Sequence, residues 1–181
     1  MKILPALFGL ATAGLYHIDT DEWLRSGRFS IGSRNETAFL SLDFNHDYTI
    51  VPGMGDCHPC KVKTYDSFAS SSMDTGTLNE TQLVYRRTQT APLHVFNGYT
   101  VRDRICFNSA TNNESCTDIE NAGLEFFVVK DFNGSSKLEN SLFRGVIGLS
   151  NVPESKFMSI VEYAYLFGLV ENAMLAVDLG K

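Results

Sequence analysis

Short runs in which apolar and polar residues alternate constrain the fold of this 181-residue chain more than any other feature. In Ala38–Asp43, Leu40 and Leu42 fall on one face of an extended segment and Ser41 falls on the other, because side chains alternate across a strand. Similar runs, rich in β-branched and aromatic residues, are Tyr48–Val51, Leu83–Tyr85, Leu93–Phe96, Leu124–Val129, Val146–Leu149 and Met174–Leu179. Turns are predicted at Pro52-Gly53, Asn97-Gly98 and Asn133-Gly134. The pattern predicts an antiparallel β-domain of the sandwich or barrel type.

One segment near the C-terminus has helical periodicity instead. Apolar residues recur at three- and four-residue spacing from Phe157 to Gly168, behind Ser155, which is suited to an N-cap. Gly168 is suited to ending the helix. The segment contains Glu162 and is shorter than the roughly 20 apolar residues of a membrane span. We therefore expect one short helix and no membrane insertion.

The N-terminus has the pattern of a signal peptide. Lys2 precedes an almost entirely apolar run, Ile3–Ala13, that closes with the small-x-small tripeptide ending at Ala13. A buried N-terminal helix is the alternative. We expect residues 1–13 to be a signal peptide, residues 14–181 to form one domain, and the protein to be secreted or to reside in a secretory or endolysosomal compartment.

Sequons and cysteines agree with export. Four Asn-x-Ser/Thr sequons, at Asn35, Asn79, Asn113 and Asn133, are expected on surface loops if they are glycosylated. Four cysteines in an oxidising compartment predict two disulfides. Of the three possible connectivities, the simplest is local: Cys57 with Cys60, and Cys106 with Cys116.

The overall charge argues against a nucleic-acid partner. Fifteen Lys and Arg residues stand against 21 Asp and Glu residues, giving a net charge of −6. No basic cluster interrupts this balance, so few cations could neutralise a phosphate backbone.

The order of several motifs resembles the N-terminal lobe of pepsin-like aspartic proteases. The first part of the likeness runs from Ile31-Gly32 through Asp43 and Tyr48–Pro52 to Cys57 and Cys60. It corresponds to the family's Ile-Gly, Asp-Thr-Gly-Ser, Trp-Val-Pro and small disulfide loop. The likeness continues through Asp66–Ser72, Leu83–Tyr85, Phe143–Leu149 and the helix ending at Val170. The resemblance implies a mainly β lobe with a short C-terminal helix, covering nearly all of residues 14–181.

The resemblance also implies a chemistry and assigns Asp43 the catalytic position. That chemistry uses two carboxylates that share one proton, and each lobe supplies one of them. This chain carries one lobe, so we expect it to be inactive as an endopeptidase unless a second lobe or a second copy joins it. The alternative is a non-catalytic descendant that binds peptide or protein in the former cleft. Neither hypothesis implies a cofactor or a metal.

The residues after Asp43 depart from the family pattern. Phe44, Asn45 and His46 replace Thr, Gly and Ser. Phenylalanine lacks the hydroxyl that braces the two lobes, and asparagine adds a side chain where the family has none. We expect His46 to pair with Asp43, which would keep that carboxylate ionised.

The flap differs as well. Tyr85 occupies the position of the tyrosine that closes over substrate, while Arg86 and Arg87 replace residues of a Gly-Thr-Gly-Ser tip. Ile50 replaces the tryptophan that holds this tyrosine, and Arg144 replaces an aspartate. Two arginines beside Tyr85 favour an acidic partner.

Two motifs allow other interpretations. Asp74-Thr75-Gly76 repeats the protease tripeptide, but no apolar strand precedes it, so we interpret it as a turn. The sequence Cys57-His58-Pro59-Cys60 could be a redox dithiol, or part of a zinc site with Cys106 and Cys116. The residues that follow it lack helical patterning, and the nine-residue gap between Cys106 and Cys116 is unusual for zinc ligands, so structural disulfides are preferred.

Overall fold

The structure is a computed structural model. It describes residues 20–21, 26–34, 36–54, 57, 60, 64–85, 93–107, 115–117, 123–133, 144–152, 157–167, 170 and 172. Ten strands are found there: β1 (Thr20–Asp21), β2 (Ser26–Ile31), β3 (Glu36–Asp43), β4 (Ile50–Pro52), β5 (Asp74–Tyr85), β6 (His94–Asp103), β7 (Ile105–Phe107), β8 (Ser115–Cys116), β9 (Leu124–Asn133) and β10 (Val146–Gly148). The mainly β prediction is confirmed.

These strands form one mixed sheet. The order is β5-β6-β9-β4-β10-β3-β2-β7-β8, and β1 pairs with β2. Most neighbours are antiparallel, as the sequence predicts, but β10 pairs with β3 and β4 pairs with β9 in parallel. The expectation of a purely antiparallel domain is therefore wrong at the centre of the sheet, where strands distant in sequence lie side by side.

Strand β10 lies between β3 and β4 and brings two remote segments together. Its register with β3 places Gly148 opposite Asp43, and its register with β4 places Val146 opposite Ile50. All three residues of β10 are buried. An apolar strand buried on both faces is typical of the interior of a sheet with parallel neighbours.

The buried apolar side chains form two clusters. The larger cluster includes Phe29, Leu40 and Phe126 and extends to Ile160 and Tyr163 of the C-terminal helix. The smaller cluster includes Ile50, Tyr85 and Phe96 and contains both Cys57 and Cys60. Tyr85 at the end of β5 is therefore anchored in a core as well as adjacent to Asp43.

Helix α1 (Ile160–Leu166) confirms the predicted C-terminal helix, although its start differs. Ser159 is the N-cap, and its hydroxyl accepts a hydrogen bond from the N–H of Glu162. The predicted cap, Ser155, and the predicted terminator, Gly168, lie outside the described residues. A short 3-10 helix (Ser67–Ala69) is capped by the Asp66 carboxylate.

Two predicted turns are wrong. Asn97-Gly98 lies inside β6, at a register shift against β9. A side chain at position 98 would overlap the Val128 carbonyl oxygen, so glycine serves close strand packing there rather than a turn. Asp74-Thr75-Gly76 begins β5, and the pairing of β5 with β6 shifts across this stretch.

Both predicted disulfides, Cys57–Cys60 and Cys106–Cys116, are formed. Cys106 and Cys116 are also paired residues of β7 and β8. Among the sequons, Asn79 lies within β5 and Asn133 ends β9, so these two are in strands rather than in the expected loops. The remaining sequons, Asn35 and Asn113, lie outside the described residues, as do the predicted signal peptide and the run Met174–Leu179.

Candidate functional site

Asp43 ends β3 with its side chain only 5% exposed. Its backbone oxygen accepts a hydrogen bond from the N–H of Leu149 at 2.9 Å, just beyond β10. The pairing of β3 with β10 thus fixes the backbone on both sides of this carboxyl group. The sequence pattern accounts for this arrangement. Apolar and polar residues alternate along β3, which ends in an acidic residue, and β3 lies beside β10, whose residues are all apolar.

The loop after Asp43 folds closely over β10. The N–H of Ser150 donates to the backbone oxygen of His46 at 3.0 Å. A Cβ atom added at Gly148 would lie 2.6 Å from both the Asp47 oxygen and the Tyr48 nitrogen. Glycine at position 148 is therefore required for the loop to approach the strand, and this approach places His46 beside Asp43.

Three donors from the same chain surround the Asp43 carboxylate. The N–H of Asn45 donates to Oδ1 at 2.8 Å. The hydroxyl of Tyr85 donates to Oδ2 at 2.8 Å, and Nδ1 of His46 lies 2.9 Å from the same oxygen. An ionised carboxylate is an acceptor only, so a set of three donors matches it.

Aromatic rings hold His46 in place. The centroid of its ring lies 5.0 Å from those of Tyr48 and Tyr85. Tyr48 in turn contacts Phe157, at a centroid distance of 5.7 Å. Burial, followed by the charges of Asp43 and Asp47, raises the pKa of Tyr48 above its ordinary value, so this phenol stays protonated.

The other residues that the sequence singles out differ in their exposure to solvent. Phe44 is 54% exposed and Ile50 is fully buried, whereas Arg144 is partly buried. Asp74 is exposed at the start of β5, at the opposite end of that strand from Tyr85. Arg86 and Arg87 lie outside the described residues.

Another buried carboxyl group, that of Asp103, was not predicted from the sequence. It accepts hydrogen bonds from the hydroxyls of Tyr65 and Ser72, at 2.7 and 2.5 Å, and from the N–H of Arg104 at 2.7 Å. Burial, followed by the hydrogen bond to Asp103, raises the pKa of Tyr65 above its ordinary value. The available signal was an acidic residue at the end of a strand, as at Asp43. Asp103 joins β6 to the Tyr65–Ser72 segment and has a structural role.

His94 is also buried. It begins β6 opposite Tyr85, is 6% exposed, and its Nδ1 has no hydrogen-bond partner among the described residues. Burial lowers the pKa of His94 below its ordinary value. The paired position next to Tyr85 explains why this imidazole is removed from water.

Comparison with known proteins identifies no relative: no protein-family model matches the chain, and no curated protein sequence does. Within the described ranges, no group of three or more His, Cys, Asp and Glu side chains is arranged to hold a metal ion. None of the helices described there is long and apolar enough to cross a membrane.

Proposed function

We propose that this chain is one lobe of an aspartic-type endopeptidase of the pepsin-like kind, and that alone it binds peptide or unfolded protein without cleaving it. The observation that carries the proposal is the state of Asp43. It ends a strand with its side chain buried, and both of its oxygens already accept hydrogen bonds from the same chain.

The placement of the resembling segments supports the family part of this proposal. Asp43 ends a strand, the segment Val146–Gly148 runs beside it, and Tyr85 reaches its carboxylate from another strand. The disulfide between Cys57 and Cys60 packs in the same cluster as Tyr85. Residues far apart in sequence, such as Asp43 and Tyr85, thus meet at one carboxyl group.

The chemistry of this family explains why cleavage is not expected from the chain alone. Peptide hydrolysis of this kind needs one carboxyl group to give a proton while a second carboxylate takes one from water. Among the described residues, the hydrogen-bond partners of Asp43 are an amide, an imidazole and a phenol. None of these partners is a carboxylate, so a second carboxylate placed against Asp43 would have to displace at least one of these donors.

Peptide is the ligand class that the exposed surroundings favour. Phe44 presents an apolar side chain directly after Asp43, and His46, Tyr48 and Phe157 present partly exposed rings nearby. Rings that combine an apolar body with a polar edge suit a peptide, which offers both side chains and backbone amides.

Binding and cleavage can be measured together. Fluorescently labelled, carboxymethylated α-lactalbumin, which stays unfolded, is titrated with the purified chain at neutral and at acid pH. Anisotropy reports binding, and gel electrophoresis after long incubation reports cleavage. We expect saturable binding at neutral pH and an intact probe at both pH values.

An inhibitor supplies the control for cleavage. Fragments that disappear with a peptide inhibitor mimicking the tetrahedral intermediate, and that are absent with Asp43→Ala, would show that the chain is an active protease. Absence of saturable binding by the wild-type chain would contradict the binding part of the proposal.

A further inference from the structure

We infer that His46, rather than Asp43, is the residue through which this site contacts its ligand, and that Nε2 of His46 accepts a hydrogen bond from a backbone N–H of a bound peptide. The inference rests on the proposed function, since it names the contact that the peptide would make. It begins from exposure: the His46 side chain is 20% exposed, whereas that of Asp43 is 5% exposed.

The hydrogen bond to Asp43 determines what His46 can offer. Nδ1 lies 2.9 Å from Asp43 Oδ2, so in the neutral imidazole the proton belongs on Nδ1. Nε2 then carries a lone pair and acts as an acceptor. A carboxylate behind an imidazole fixes its tautomer and orientation in this manner at many sites where the other nitrogen contacts a ligand.

The ring is also held rigidly enough to serve as a contact. The ring centroids of Tyr48 and Tyr85 each lie 5.0 Å from that of His46, and the backbone oxygen of His46 accepts a hydrogen bond from the N–H of Ser150. A side chain that is already ordered loses little rotamer freedom when a ligand arrives. Both carboxylate oxygens of Asp43, in contrast, already accept hydrogen bonds from residues of the same chain.

The residues beside His46 indicate which kind of peptide segment would bind there. An acceptor at Nε2 requires a donor, which every peptide N–H supplies. Tyr48 and Phe157 lie beside the imidazole and present partly exposed rings. A peptide segment with an apolar side chain next to the donating amide would cover both.

Two substitutions distinguish the roles of the two imidazole nitrogens of His46. In His46→Asn the short carboxamide can still donate to Asp43 from about the position of Nδ1, but nothing occupies the position of Nε2. In His46→Gln the longer carboxamide places an oxygen near the position of Nε2. We expect His46→Asn to bind carboxymethylated α-lactalbumin about 3- to 10-fold more weakly than the wild type, and His46→Gln to bind more tightly than His46→Asn.

Nitrogen-detected NMR of the imidazole keeps the inference testable even if a variant folds poorly. In the wild-type chain, we expect the His46 proton on Nδ1, and we expect the Nε2 resonance to shift when the probe is added. A proton on Nε2, or an Nε2 resonance that does not respond to a saturating probe, would overturn the inference. Wild-type binding in His46→Asn would overturn it as well while leaving the proposed function intact, whereas no binding by the wild type would remove the proposed function itself.

Discussion

At the scale of single residues, the central feature is a buried carboxylate that accepts three hydrogen bonds from residues of its own chain. Removing a charged group from water costs several kcal/mol unless hydrogen bonds replace the lost hydration. Asp43 receives these bonds from a backbone amide, an imidazole and a phenol. Each donor should therefore contribute measurably to stability.

Tyr85→Phe tests the phenol. The change removes the donor to Asp43 Oδ2 at 2.8 Å and keeps the ring, so we expect a loss of about 1–3 kcal/mol in the free energy of unfolding. Urea denaturation of the oxidised protein measures it. Tyr48→Phe is the matched control, because the one hydrogen bond of the Tyr48 hydroxyl to another described residue is an exposed 3.4 Å bond to the Val84 oxygen. Equal losses in the two variants would contradict a special role for Tyr85.

His94 is expected to make the stability sensitive to acid. Burial lowers its pKa in the folded chain below the ordinary value of 6.5, so the unfolded chain takes up a proton first as the pH falls. The contribution of His94 is thus unchanged above about pH 6.5 and becomes destabilising below it. In His94→Phe, the free energy of unfolding should fall less steeply between about pH 7 and pH 5. Parallel pH profiles for the two proteins would show that His94 does not titrate differently on folding.

At the scale of elements, local patterns predicted the strands and the helix but not the neighbours of β10. Alternation in Ala38–Asp43 and helical spacing before Gly168 are properties of consecutive residues, so they can be read without knowing the fold. The parallel pairing of β10 with β3 joins segments about 100 residues apart in the chain. No local pattern specifies which distant strand a buried apolar run will join.

The errors at Asn97-Gly98 and Asp74-Thr75-Gly76 have a related cause. Asparagine, aspartate and glycine favour turns in isolation. In the folded chain, Gly98 is required by close packing on Val128, and the stretch from Asp74 to Asn79 follows a shift in strand pairing. Tertiary contacts therefore override the turn propensity of these residues.

The candidate site was predicted in part. Asp43, His46 and Tyr85 were each singled out from the sequence, and the structure brings them within hydrogen-bond distance. The direct bond from Tyr85 to Asp43 was not predicted, because it depends on how far the end of β5 reaches toward β3. Burial of His94 and the Asp103 network were missed for the same reason: both depend on contacts between strands.

Gly148→Ala tests the element that positions the site. The added methyl group would lie 2.6 Å from backbone atoms of Asp47 and Tyr48, which cannot rotate away. We expect a loss of about 1–3 kcal/mol or more in the free energy of unfolding, together with a displaced His46 resonance in NMR spectra. The control is Ser150→Ala, which keeps the backbone N–H that donates to His46. An unperturbed Gly148→Ala protein would contradict the close approach of the loop to β10.

At the scale of the whole molecule, one mixed sheet brings the Asp43 carboxylate and its three donors together at the end of β3. The proposed function depends on that arrangement being an energetically coupled unit in solution. If the three donors bind Asp43 in solution, we expect a peptide to contact His46 rather than Asp43, and hydrolysis would require a second carboxylate. If Asp43 does not form these hydrogen bonds in solution, the physical reason for expecting an inactive lobe no longer applies.

The most direct test is a double-mutant cycle on the free energy of unfolding that combines Asp43→Asn with Tyr85→Phe. Residues in direct contact show coupling energies of about 0.5–3 kcal/mol, whereas independent sites add within about 0.5 kcal/mol. Because the Tyr85 hydroxyl lies 2.8 Å from Asp43 Oδ2, we predict a coupling of about 1 kcal/mol or more. Additive effects of the two substitutions would contradict the claim that Asp43 is held by donors of its own chain.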